Sequence, residues 1–139
     1  MSDGKLREYY WRIWTHLTER SEYLDTENPA FQLPEYDEVE NTGNLNATLV
    51  FRDGSHLYVQ TSLDDRAEIR EYEYAYVYSD SHGRRVFQYD DAPHHPRIST
   101  HPHHLHRGEA KGKKERVYAL DIAHVDFVTV VEKIIHQLG

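Results

Sequence analysis

Four tyrosines stand at every second position, Tyr72, Tyr74, Tyr76 and Tyr78, with Glu71, Glu73, Ala75 and Val77 interleaved. A period of two is the repeat of a β-strand, whose successive side chains leave opposite faces. It predicts a long strand over 67–78 with all four rings on one face, read as core or as a half-buried sheet face. Asp80-Ser81-His82-Gly83 follows as a turn, so 84–89 is expected to return as the partner strand. Upstream, 45–52 and 55–62 are rich in strand formers and flank Asp53-Gly54, a pair that tolerates positive φ, which predicts a hairpin. The stretch 117–124 alternates again, with Tyr118, Leu120 and Ile122 on one side. A short edge strand is expected near 36–40, inside a loop at 28–44 that holds Pro29, Pro34 and Gly43.

The two ends follow a different repeat. Leu6, Tyr10, Ile13, Trp14, Leu17 and Leu24 recur at helical spacings, which predicts a helix over 5–24. Ser2 or Asp3 is the expected cap, and Trp11 and Trp14 are read as core. The helix has to end before Asn28-Pro29, because a residue preceding proline avoids helical geometry. Asp126 is the expected N-cap of a last helix over 127–138, with Phe127, Val128, Val131, Ile134, Ile135 and Leu138 on its apolar face. The expected architecture is α+β: an N-terminal helix, an antiparallel sheet of four to five strands and a C-terminal helix packed on the sheet. A length of 139 residues suits one domain spanning 1–139. The stretch 90–114 shows no clear element and is read as a long His/Pro-rich loop, a kind of segment that often carries function.

Composition narrows the chemistry. The chain has no cysteine, which excludes disulfides, thiolate zinc sites, iron–sulfur clusters and a thiol nucleophile. Its 24 acidic and 16 basic side chains give a formal charge of −8, which excludes a generally cationic coat for nucleic acid. The charge is split, however. Residues 84–116 carry Arg84, Arg85, Arg97, Arg107, Lys111, Lys113, Lys114 and Arg116 against Asp90, Asp91, Glu109 and Glu115, a local excess of base. Such a patch on an acidic body can hold a phosphate backbone. No apolar run approaches the ~20 residues of a membrane span, and the N-terminus lacks the apolar core of a signal peptide. A cytoplasmic location is the default expectation.

Histidine is the remaining oddity. Of eleven, six (His94, His95, His101, His103, His104 and His106) fall within thirteen residues, among Pro93, Pro96 and Pro102. Prolines fix φ and stiffen the segment. Three readings of the cluster stand open. One is a metal site for zinc or another divalent transition metal, built from His94, His95, His103, His104 and His106, with Asp90 or Asp91 supplying oxygen. Another is metal-free acid–base cleavage of a phosphodiester, which needs a base, an acid and cations on the developing phosphorane. The third is a polar surface loop whose histidines bond to backbone.

The string Tyr89-Asp90-Asp91-Ala92-Pro93-His94-His95-Pro96, a short gap, and then Pro102-His103-His104-Leu105-His106 resembles the signature of the TumE family, toxin components of bacterial and archaeal toxin–antitoxin pairs. The resemblance extends over about 45–138. It departs from the family pattern at Gln88, Asp91, His101 and Leu105. It implies a growth-inhibiting toxin neutralised by a cognate antitoxin, usually a helix-turn-helix DNA-binding protein. Together with the loop chemistry, it leads to the expectation of a metal-independent endoribonuclease acting on RNA with no cofactor. One of His94/His95 would pair with one of His103/His104/His106 as acid and base. Asp90 would orient a ring, and Tyr89 or Tyr78 would stack or bond near the scissile group. Arg85, Arg97, Arg107, Lys111, Lys113 and Lys114 would hold phosphate. The alternatives are a metal-dependent hydrolase or metal-binding module using the same histidines, and a non-catalytic interaction protein. A homo-oligomer is left open.

Overall fold

The computed structural model describes residues 4–39, 42–64, 69–93, 97–108, 116–120 and 126–138. Helix α1 (Lys5–Glu19) buries Leu6, Ile13 and Leu17. Trp11 lies two residues from Ile13, about 200° around the helix, and is 62% exposed; the expectation of a core Trp11 is corrected. Trp14 is partly covered. Gly4 takes the cap position in the left-handed region without a side-chain bond, and Ser2 and Asp3 lie outside the described residues. The helix stops earlier than the expected residue 24, giving way to a 3-10 turn at Ser21–Tyr23. The backbone there has other partners: Asp25 N–H donates to Val50 and Arg52 N–H donates to Tyr23.

Seven strands follow among the described residues: β1 (Gln32–Val39), β2 (Thr42–Val50), β3 (His56–Asp64), β4 (Arg70–Ser79), β5 (Arg85–Asp90), β6 (His104–Arg107) and β7 (Arg116–Ala119). They form one antiparallel sheet in strict chain order. The expected count of four to five is therefore too low. The edge strand expected near 36–40 is the longer β1, with Glu40 outside the described residues. The supposed loop at 90–114 contains β6, which pairs with β5 on one side and β7 on the other. Strand pairing overrides the weak local preference of a histidine-rich tetrapeptide flanked by Pro102 and Gly108. Strand β7 covers the start of the alternation expected at 117–124; residues 121–124 lie outside the described set.

Local chemistry explains the turns. Gly54 adopts φ +88 between β2 and β3, and Asp53 Oδ1 accepts from Ser55 N and Oγ. Between β4 and β5, Asp80 Oδ1 accepts from the backbone of His82 and Arg84. Strand β4 departs from strict alternation. Its register against β3 shifts between Gln60 and Ser62, where Glu73 has φ 48. One extra residue in a strand exchanges the faces beyond it. Tyr74, Tyr76 and Tyr78 stay buried, but Tyr72 faces Ser62 and Glu71 faces Leu63. The expectation of four tyrosines on one face is thus corrected to three. Asp91 holds the bulge, its carboxylate accepting from Glu73 N at 2.8 Å and Tyr74 N at 3.0 Å.

Helix α2 (Phe127–Leu138) begins at the expected cap, with Thr129 N donating to Asp126 Oδ1 at 2.8 Å. Its Phe127, Val130, Val131, Ile134 and Ile135 are buried with the α1 face against one side of the sheet. That side is supplied by alternate residues of β2 to β6, including Leu45, Leu57, Tyr76, Phe87, Tyr89 and Leu105. Glu132 accepts from His16 and Arg20, tying α2 to the end of α1. The opposite side of the sheet is polar and carries Asn44, Tyr58, Gln60 and Gln88.

Candidate functional site

Asp90 and His104 sit directly opposite each other across β5 and β6, and Gln88 sits opposite His106. Period two then places all four side chains on the polar side of the sheet. Tyr89 and Leu105, the alternating residues, belong to the apolar core instead. Asp90 and His104 are 6% and 1% exposed, so the carboxylate depends on its protein partners. His104 Nε2 lies 2.8 Å from Asp90 Oδ1, and His106 Nε2 lies 3.6 Å from Asp90 Oδ2. The two imidazoles meet edge to face with centroids 4.7 Å apart.

Further contacts fix these groups. His104 Nδ1 is 2.8 Å from the Pro102 carbonyl oxygen. A carbonyl only accepts, so Nδ1 carries hydrogen and Nε2 points at Asp90. Gln88 Nε2 donates to Asp90 Oδ2 at 2.8 Å, and Ala92 N donates to Oδ1 at 3.0 Å. The Gln88 carbonyl accepts from Arg85 Nη1 at 3.0 Å, while Arg85 Nε donates to Gly108 O at 2.8 Å. An unbroken chain of hydrogen bonds therefore runs from guanidinium to amide to carboxylate, ending at the histidine-facing oxygens. The group opens on a cleft of about 640 Å³ lined by Tyr74, Arg85, Asp91 and Pro93 as well as the cluster itself.

His103 is separate from this group. Its Nδ1 lies 2.8 Å from Tyr74 Oη, and the two rings stack with centroids 5.8 Å apart. Burial, together with Asp91 and Asp90, holds the Tyr74 hydroxyl above the ordinary phenol range, so it keeps its proton.

The sequence-predicted residues divide accordingly. Asp90, His104, His106 and Arg85 come together at the cleft. Tyr89 faces the helices, its hydroxyl 2.5 Å from Lys133 Nζ, and Tyr78 bonds Ser55 in the core. Arg97 and Arg107 are exposed, as is His101. His94, His95, Lys111, Lys113 and Lys114 lie outside the described residues. Gln88 and Tyr74 are additions to the expected set. The i,i+2 spacing of Gln88 and Asp90 within a strand was the available signal for the first.

The family model described as Toxin TumE matches residues 21–135, a span that holds the whole sheet and the cleft. No curated protein and no solved structure matches the chain.

Proposed function

This chain belongs to the TumE toxin family, the toxin half of toxin–antitoxin pairs, and from that premise we propose that it arrests growth as an endoribonuclease working in the Asp90 cleft. The observation that carries the reading is the convergence of Asp90, His104 and His106 beside Arg85. Cleavage by the RNA's own 2′-hydroxyl needs a base on that hydroxyl and an acid on the leaving 5′-oxygen, with positive charge at the phosphorane. Imidazole is the side chain whose ordinary range spans neutral pH.

His106, less buried than His104, is the base in this scheme. It removes the 2′-hydroxyl proton as the O2′–P bond forms. The P–O5′ bond breaks, and the 5′-oxygen takes a proton from the acid. That acid is His94 or His95, which follow the cleft residue Pro93 in sequence. The Asp90–His104 pair positions His106, and Arg85 holds the phosphate oxygens. The antitoxin partner is proposed to be a helix-turn-helix DNA-binding protein, and the place of action the cytoplasm. No described helix is long and apolar enough to cross a membrane.

The test is RNA cleavage in excess chelator by wild type, His106→Ala and His104→Ala, alongside growth on expression with and without the partner. Wild-type cleavage that falls at least about a hundredfold in His106→Ala is expected for loss of a general base. Equal cleavage by the variants overturns the assignment. Growth arrest without any cleavage transfers the toxin's action to a binding interaction.

A further inference from the structure

We infer that Asp90, His104 and His106 form a three-ligand site for a divalent transition-metal ion of the zinc class, and that ion binding and proton transfer at His106 exclude one another. The second half rests on the ribonuclease reading above; the first half does not.

The geometry comes first. One ligand atom from each residue lies within 4.8 Å of the other two. The two carboxylate–imidazole separations are 2.8 and 3.6 Å. A tetrahedral ion with bonds of about 2.0–2.1 Å sets its ligand atoms roughly 3.3 Å apart, between those two values. The two distances run to different oxygens of Asp90, and all three ligand atoms lie within 4.8 Å of one another, so side-chain adjustment brings them towards that spacing.

The tautomer is also the one a metal requires. His104 Nδ1–H is engaged by the Pro102 carbonyl, which leaves Nε2 as the ligating atom, directed at Asp90. A backbone acceptor on the remote nitrogen is the usual support of a metal-bound imidazole. Asp90 is likewise oriented by Gln88 and Ala92. His104 Nε2 and Asp90 Oδ1 lie 2.8 Å apart in a buried site, a pair of donor atoms that one cation can take as ligands.

Ligand type selects the ion. Two imidazoles and one carboxylate suit zinc, nickel, cobalt or ferrous iron, whereas magnesium and calcium prefer all-oxygen shells. Three protein ligands leave a further position for water or a substrate oxygen, and all three residues line the same cleft as Arg85 and Pro93. Exclusion follows from electron counting: an imidazole nitrogen bonded to a metal has no lone pair left to accept a proton. The ion would therefore act as an off-switch on a metal-free nuclease.

The experiment uses tag-free full-length protein stripped with chelator and then titrated with Zn²⁺ by calorimetry. Parallel Co²⁺ titrations are read by visible absorption. One ion per chain is expected, with affinity weakened at least about tenfold in Asp90→Asn and in His106→Gln. His101→Gln, on the exposed part of the same segment, is expected to bind like wild type. Circular dichroism establishes that each variant is folded, and the wild-type cobalt spectrum reports nitrogen and oxygen ligation independently of any variant. Absence of stoichiometric binding overturns the site, as does binding that both cluster variants retain.

RNA cleavage is then measured in chelator and with equimolar Zn²⁺. Suppression by zinc and recovery in chelator supports exclusion. Stimulation by zinc overturns exclusion and the metal-free chemistry together, leaving the site standing. No cleavage in either condition overturns the ribonuclease reading and the exclusion built on it, while the calorimetry still decides the site.

Discussion

The side-chain amide of Gln88 donates to Asp90 Oδ2 at 2.8 Å. Its orientation is fixed chemically, because the other end accepts from the Arg85 guanidinium, which can only donate. Gln88→Leu removes both bonds while keeping similar bulk. On the ribonuclease reading, cleavage falls by about 10- to 100-fold, the usual cost of losing an outer support. Stability falls by only about 1 kcal/mol. Rates and urea midpoints on the same preparations check this; unchanged rates would remove Gln88 from the site's support.

Asp91 sits next in the chain but has a different task. Its two carboxylate oxygens satisfy the two backbone donors of the β4 bulge. Asp91→Ala leaves both without that acceptor and is expected to cost about 2 kcal/mol, whereas Asp91→Asn keeps one oxygen and costs about half as much. Urea denaturation of the two variants measures the order. If Asn proves as costly as Ala, the bulge does not depend on the carbonyl oxygen that Asn retains.

Glu71 gives a pH prediction. The bulge turns it inward, where Tyr9 and Tyr76 donate to its carboxylate. As a residue it is only half-buried, yet the carboxylate itself is enclosed. Desolvation raises its pKa above the ordinary 4.5, outweighing the bonds from Tyr76, Tyr9 and Thr61 that lower it. Between 4.5 and the raised value the folded chain keeps a proton that the unfolded chain releases. Stability therefore falls as pH rises through that window. Glu71→Gln is expected to lack this slope and to gain on wild type above it. Denaturation curves across a pH series decide, and parallel profiles for the two proteins would assign the slope elsewhere.

Phe127 in the core and Trp11 on the surface predict opposite sensitivities. Phe127 is fully buried, while Trp11 is 62% exposed. Phe127→Ala is expected to cost about 3–5 kcal/mol, and Trp11→Ala to stay within about 0.5 kcal/mol. A thermal-melt comparison checks both. A large loss at Trp11 would mean that its ring is covered by another chain.

Much of this layout was legible in the residues. The helices at both ends, the Asp53-Gly54 hairpin and the Asp126 cap follow from period and from turn chemistry. The bulge at Glu73 was not legible, because its cause lies seventeen and eighteen residues away in Asp91. Strand β6 was hidden for a related reason: His104-Leu105-His106 is too short to declare itself, and only its neighbours on both sides make it a strand. The site shared that fate. The sequence singled out a set of residues that includes His104, His106, Asp90 and Arg85, which the structure gathers at one cleft, but telling which histidines converge needed the register of β5 against β6. Parity sent Tyr89 to the core while placing Asp90 beside the histidines.

Strand order in the sheet equals strand order in the chain, and this has a consequence during synthesis. Each strand emerging from the ribosome meets a partner that is already outside. Asp90 appears before its histidines, and the cluster cannot assemble until residue 107 is free. The part of the sheet's apolar side that α2 covers stays open longer still, until that helix joins α1 as the last described element. On the ribonuclease reading, a nascent chain that ends short of His106 therefore carries an incomplete cluster, and its chemistry waits on the pairing of β5 with β6.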